Sequence, residues 1–526
     1  MTTYTDIQAL KARCTALETK DKALSAAATA LTARVAKLEA VKPVDYAPQI
    51  AALWEEVDAL RYIISSSARK KALAATASSF RGTAAASVIL KGGTPGTYYN
   101  ALTDGVCHGD GVTDDTAHIL AAVTAYKAAG KTGLYFPAGT YLLSSTLTVP
   151  SGTVMVGPAV SALAYPVAGC NTPTAWLKGK VTYGSNSTFS DLRIGTSGKS
   201  TQNGSGATNT SFTRCQLRGG GGTSYDAPVA LLGWASSGNH ITFTDCNFER
   251  NCGSTDVALG NNIFSLNNFQ YAGGVQVHDI TWSRCHWGVD NDGVNTITPR
   301  AGIECTNKGT GTAVQGYYNI SMLNCVFEKT RYFSLDFADD ERLSDNVLVK
   351  GNWIKGAGGG GLSYGVCLEC PKNSVVEDNL IYRCADPCIK LAYTSPTSSV
   401  IIRNNTFQLD YDNGISSTAS VFWLSGGGHQ IYGNTVVTNL NQHIWETWGA
   451  TNTVAYGNTV TNKYAGASPR QWAQFSTSDG IRIAGTGMDA TRNTLETYQT
   501  SDLGWEDNPT SGNTNLTTTP NILVHH

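Results

Sequence analysis

An all-β fold, a parallel β-helix (solenoid) behind an N-terminal α-helical coiled-coil stalk, is the fold class this sequence predicts. Three observations predict it: a repeated short strand pattern, a heptad of leucines near the start, and a Gly-Asp-rich turn leading into one short helix. With Asp191, Cys215, Cys246, Cys285, Cys325, Asn352, Asn379, Asn405, Asn434 and Asn458 as position zero, the residues five and three before it and two after it are apolar almost throughout. Examples are Ile241, Phe243 and Phe248; Ile280, Trp282 and Trp287; Ile320, Met322 and Phe327; and Val400, Ile402 and Phe407. Period-two alternation that breaks at a small polar residue and then resumes describes two short strands joined at a bend, each burying one face. Successive zero positions lie 24 to 40 residues apart. A constant strand frame with loops of variable length is what a stack of coils allows, because each coil bonds only to its neighbours and can grow outward at its turns.

The stalk comes first in the chain. Leu10, Leu17, Leu24, Leu31 and Leu38 recur every seven residues, with Ile7, Cys14, Asp21, Ala28 and Val35 at the companion position, which predicts a coiled-coil seam over 1–64 and hence an oligomer. Pro43 and Pro48 interrupt the seam, and Ile50, Leu53, Val57, Leu60 and Ile64 resume it in a shifted frame. Residues 65–97, rich in Ala, Ser and basic side chains, read as a neck linker.

Next comes Asp104-Gly-Val-Cys-His-Gly-Asp-Gly-Val-Thr-Asp-Asp-Thr116, then helical apolar spacing from Ala117 to Ala129, then Leu134-Tyr-Phe-Pro-Ala-Gly-Thr-Tyr141. Asp114 or Asp115 is placed to cap the helix N-terminus, Gly109 and Gly111 to form the turn, and Gly139 to let two backbones approach. This stretch resembles the opening of the pectate-lyase-like β-helix family and, within it, of bacteriophage tailspikes. The resemblance covers residues 98–160 at the level of motif and the later rungs as architecture. It implies a right-handed parallel β-helix over 98–478 with 98–160 as its capping unit. It also implies a homotrimer anchored to the virion, at the phage tail, through other tail or baseplate proteins by the N-terminal region, with the β-helix touching bacterial surface polysaccharide. Residues 479–526 carry weak strand patterns and read as a closing segment.

Composition narrows the function classes. Charged residues are 15% of the chain and the formal net charge is −2, so nothing electrostatic favours nucleic acid or an anionic membrane surface. No run approaches the roughly 18 apolar residues of a membrane span, and the start MTTYTDIQAL lacks a signal-peptide core, which predicts neither membrane insertion nor export by the general secretory route. Of the thirteen cysteines, Cys215, Cys246, Cys285 and Cys325 occupy one bend of consecutive rungs and read as small side chains filling it. Cys367 and Cys370 alternate to opposite faces of a strand, which argues against zinc with Cys384 and Cys388. If Glu369 stacks over Lys390, then Cys367 falls over Cys388, where an inter-rung disulfide is open.

The rungs contain a further strand after the loop that follows position zero: Ala301–Cys305, Phe333–Phe337, Val366–Cys370, Cys388–Leu391 and Phe422–Leu424. With its apolar members inward, Glu304, Asp336, Glu369 and Lys390 point outward on successive rungs, and Glu446 lies further along. Adjacent strands are about 4.8 Å apart, so carboxylates in register bracket the separations used by glycoside hydrolases, about 5–5.5 Å for nucleophile plus acid and roughly 6.5–9.5 Å with a water between. Glu304, Asp336 and Glu369, with Asp339 and Asp340 from the following loop, are therefore the candidate catalytic residues. The competing reading is a solvated acidic stripe closed by Lys390. Tyr332, Tyr364, Tyr393 and Trp423 are candidate sugar-stacking aromatics, as are Tyr317 and Trp445, and Arg331 and Lys390 candidate hydroxyl binders. The expected function is recognition and cleavage of surface glycan (capsule, exopolysaccharide or O-antigen) by glycosidic hydrolysis, without cofactor or metal. The alternatives are a non-catalytic adhesive or structural tail fibre, and a polysaccharide lyase using Arg300, Arg331 or Lys390 as base.

Overall fold

The computed structural model describes residues 97–462, apart from inter-strand loops of which 219–228, 250–263, 268–276, 290–300, 308–316 and 410–419 are the longest, together with strands at 473–476, 482–483, 494–497 and 522–525. The stalk expected over 1–64 and nearly all of the neck lie outside the described residues.

Within them the chain winds into three long parallel sheets. From Leu147–Val149 onward the rungs give strands to each sheet in turn. Asn239–Thr244, Val277–Ser283, Tyr317–Leu323 and Ser344–Lys350 neighbour one another in sheet I. Asn247–Glu249, His286–Val289, Val326–Phe327 and Trp353–Lys355 follow the bend into sheet II. Phe264–Asn267, Ala301–Asn307, Phe333–Asp339 and Tyr364–Glu369 belong to sheet III, the further strand that the rung pattern predicts.

The apolar template positions all turn into one continuous core: Ile241, Phe243, Phe248, Ile280, Trp282, Trp287, Ile320, Met322 and Phe327 are fully buried. Because the rung spacing nearly equals the thickness of stacked rings, identical positions in neighbouring coils stack face to face. Phe189, Phe212 and Phe243 do so at 4.9 and 5.0 Å between centroids, and Phe248, Trp287 and Phe327 at 4.5 and 4.4 Å.

The bend between sheets I and II has a fixed chemistry. The residue before position zero has a positive φ in rung after rung, at Arg214, Asp245, Arg284, Asn324, Gly351, Asp378, Asn404, Gly433 and Gly457. That left-handed residue breaks the alternation and sends position zero inward. Asp191 has the same positive φ and stands opposite Arg214, since Ser190 pairs with Thr213 and Arg193 with Gln216. Position zero of that rung is therefore Leu192, a correction of one residue to the sequence template; the bend residue and position zero were both small steps from one apolar pattern, and only pairing separates them.

From Asn352 onward position zero carries a buried amide ladder. Asn352 donates its side-chain NH2 to Asn379 Oδ1 at 2.9 Å, Asn379 to Asn405 at 2.9 Å, Asn405 to Asn434 at 3.0 Å and Asn434 to Asn458 at 2.9 Å. Each Oδ1 also accepts the backbone N–H of the rung before, and each NH2 also reaches a carbonyl of sheet I, so the buried polar groups at the bend are satisfied. Cys215, Cys246, Cys285 and Cys325 fill the same place in the earlier rungs as free, buried thiols, as the spacing predicts.

At the N-terminal end the helix Thr116–Ala128 buries Ile119, Ala122, Val123 and Tyr126 against the first coil. Gly109 and Gly111 have φ of 62° and 78°, and a Cβ on Gly139 would meet the Gly109 carbonyl oxygen at 2.7 Å, so the expected roles of these glycines hold. Asp114 is the residue that holds the helix start, accepting the Thr116 N–H at 3.1 Å and the Ser144 N–H at 3.1 Å. Asp115 makes no cap; its carboxylate turns back to the loop, accepting His108 N–H at 2.7 Å and Gly109 N–H at 3.0 Å. The sheets do not stop at residue 478. Arg482–Ile483 joins sheet I, and Thr494–Thr497 and Ile522–His525 extend sheet II beyond Thr459–Asn462, so the closing segment continues the same parallel pairing.

Candidate functional site

The site is a column on sheet III. Ile303, Val366, Leu368, Ile389, Leu391, Phe422 and Leu424 are buried, which fixes the inward parity of their strands. The alternate positions, read by strand pairing, form one row: Ser265, Glu304, Asp336, Cys367, Lys390, Trp423, Glu446 and Gln474. Glu304 and Asp336 are direct partners on adjacent strands, about 4.8 Å apart by strand spacing. Lys390 and Trp423, both half-buried, follow two and three rungs on, with the Lys390 ammonium 5.4 Å from the Trp423 ring centroid. Glu446 then pairs with Trp423.

Two sequence expectations need correction here. Glu369 pairs with Ala392, and the partner of Asp336 is Cys367, so Glu369 has the parity of the column but sits one pleat further along its strand. Correspondingly Leu335 lies against Val366, and Leu368 against Phe337. Lys390 pairs with Cys367, which removes the expected stacking of Cys367 on Cys388; Cys388 is buried and its Sγ approaches the Cys384 carbonyl at 3.6 Å. The cause is strand offset: equal composition at alternating positions leaves a shift of two residues invisible until neighbouring strands pair.

Other candidates divide. Asp339 ends its strand opposite Asn307, three residues beyond Asp336. Tyr364 pairs with Phe333 and shares the parity of buried Val366 and Leu368, so it stands at an inward-alternating position and not on the column; Trp445, partner of buried Phe422, does likewise. Asp340, Arg331, Tyr332 and Tyr393 lie outside the described residues.

Sequence reasoning missed the ionic ladders beside the sheet I to sheet II bend. Arg214 forks onto Asp191 at 2.7 and 2.9 Å, and Arg284 onto Asp245 at 2.7 and 2.8 Å. Glu377 receives Lys350 Nζ at 2.7 Å and Arg403 Nε at 2.7 Å. Although burial opposes it, those two cations hold the Glu377 carboxyl below its ordinary value. Alternating charge at one template offset in successive rungs was the signal available. Two His/Asp groups among the described residues bring their ligand atoms within 4.8 Å of one another: His240, His278 and Asp279, and His108, Asp115 and His118. Neither is on the sheet III column.

Residues 98–336 match the family Rhamnogalacturonase A/epimerase, pectate lyase-like, and residues 289–460 match the right handed beta helix region. No curated protein sequence matches the chain. Among solved structures the chain is similar to PfbA, a surface adhesin of Streptococcus pneumoniae, at 13% identity and a TM-score of 0.46, covering 76% of this chain and 90% of that one. It is similar to the Azotobacter vinelandii mannuronan C-5 epimerase AlgE6 A-module at 16% identity and a TM-score of 0.48, over 74% and 100% of the two chains. It is also similar to tailspike protein 3 of bacteriophage CBA120 at 14% identity and a TM-score of 0.45, over 75% and 63%. With three parallel sheets wound from successive strands, residues 98–460 form a parallel β-helix, of which 98–336 are similar to the pectate-lyase-like family and 289–460 to the right handed beta helix region.

Proposed function

We propose that this protein is a bacteriophage tailspike that binds bacterial surface polysaccharide along sheet III and hydrolyses it with Glu304 and Asp336. The observation that carries the reading is their direct pairing on adjacent strands, in one column with Lys390 and Trp423. Two carboxylate residues at facing positions one strand spacing apart suit the closer of the two glycosidase geometries, in which one group attacks the anomeric carbon and the other protonates the leaving oxygen. Trp423 offers an aromatic face to a pyranose ring, and Lys390 a donor to its hydroxyls. The leucine heptad of residues 1–64 supports attachment through a trimeric stalk.

Purified protein applied to strains with defined capsules or O-antigens is expected to release reducing ends, with Asp336→Asn retaining glycan binding and losing about 100-fold or more in kcat. NMR of the first product should show retention at the anomeric centre. Inversion would require a wider pair and remove the Glu304–Asp336 assignment; an unsaturated uronate product would make the protein a lyase; binding without any product would make it an adhesin.

A further inference from the structure

Four carboxylates are buried among the described acidic residues, and three of them face a permanent cation: Asp191 meets Arg214, Asp245 meets Arg284, and Glu377 meets Lys350 and Arg403. The fourth, Asp115 in the capping unit, is fully buried, and among the described residues its ionisable partners are imidazoles, His108 Nδ1 at 3.2 Å and His118 Nδ1 at 3.7 Å from the same oxygen, Oδ1. We propose that His108, Asp115 and His118 bind one divalent transition-metal ion, zinc being the best match, which ties the opening loop to the start of the first helix.

The donor set is the one zinc accepts: two neutral imidazole nitrogens and a carboxylate, with a fourth position for water. Zinc holds such ligands at about 2.0–2.2 Å, which puts the ligand atoms about 3.3 Å from each other around a tetrahedron. Separations of 3.2 and 3.7 Å to the carboxylate therefore need only small side-chain rotations. The carboxylate is already held for the task. Its two oxygens accept the His108 and Gly109 backbone N–H groups, the kind of outer bond that orients a metal ligand. His118, three residues after Asp115 on the first turn of the helix, turns Nδ1 inward, where that atom is buried with no hydrogen-bond partner. An inward nitrogen without a donor, beside a buried carboxylate without a cation, is the electrostatic gap that a metal ion fills. The two imidazoles are 45% and 35% exposed, so an ion can enter and keep a water ligand.

The test is zinc binding to the full chain after EDTA treatment and dialysis, by competition with a chromophoric zinc indicator and by the d–d absorption of bound Co²⁺. Adjacent His525 and His526 are replaced by Gln in the background so that a tail chelate does not contribute. One saturable site is expected, weakened at least about tenfold by His118→Gln, undetectable in the His108→Gln/His118→Gln double variant, and unchanged by His240→Gln in the other histidine group. Far-UV circular dichroism of each metal-free variant establishes that the fold survives. Absence of a saturable site, or a site that persists in the double variant or disappears with His240→Gln, overturns the proposal.

Discussion

Asn379 shows how much one side chain carries in this fold. It accepts two N–H groups from Asn352 and donates to Asn405 Oδ1 and to the Val349 carbonyl, all at about 3 Å and out of water. Asn379→Ala leaves donors and acceptors of two rungs buried and unmade, and is expected to lower the unfolding free energy by about 1–3 kcal/mol, measured by urea denaturation. A buried titratable group adds a pH dependence. Burial lowers the His429 pKa from 6.5 to about 4, so the folded chain keeps the imidazole neutral while the unfolded chain takes up a proton below pH 6.5. The stabilisation is complete above pH 6.5, is lost as the pH falls from 6.5 to 4, and is constant below that, a change of about 3 kcal/mol. In His429→Phe that slope should vanish, so the stability gap between wild type and variant narrows on acidification; a gap independent of pH would show that His429 is not buried neutral. Burial also pushes the Cys215 and Cys285 thiols well above their ordinary range, and they should not react with a thiol reagent until the chain unfolds.

At the scale of the element, the unit of this protein is the bend between sheets I and II. A left-handed residue, then an inward position zero, lets each rung turn its apolar face around the core. Gly is used there at 351, 433 and 457 and non-glycine residues elsewhere, with the two arginines held by forked bonds to a carboxylate of the preceding rung. Gly351→Ala places a Cβ at a φ of 66° and into the Asn324 side chain, and should cost about 1–2 kcal/mol. The stacked rings make a second prediction. Phe243 lies between Phe212 and Trp282, so Phe243→Ala opens a hole in the column and should destabilise by about 3–5 kcal/mol, read as a lower melting temperature.

For the whole molecule, stacking makes stability a sum of neighbour contacts, and the capping unit closes the end where no preceding rung exists. The proposed trimer belongs to this scale. The seam over residues 1–64 should make the full chain sediment as a trimer, and Leu24→Asp with Leu31→Asp should convert it to monomers with an unchanged far-UV spectrum from the β-helix. A wild-type monomer at micromolar concentration would remove the stalk from the proposal.

What the sequence by itself determined is the rung. Alternation at Ile241, Phe243 and Phe248, small residues at position zero, and the Gly-Asp turn before the helix are local facts, and local facts dictate strand, bend and cap. The parity of Glu304, Asp336, Lys390 and Trp423 followed from the same alternation, because inside and outside differ by a single residue. The tertiary structure alone decided which residue lies against which: Asp336 meets Cys367 and not Glu369, Leu192 and not Asp191 fills its bend, and Tyr364 stands at an inward position. A shift of two residues keeps every apolar side chain inside, so the hydrophobic pattern is blind to it, and only hydrogen bonds between rungs choose the offset. The meeting of His108, Asp115 and His118 was hidden for a related reason, since a loop and a helix start bring their side chains together only through the turn that Asp115 itself holds.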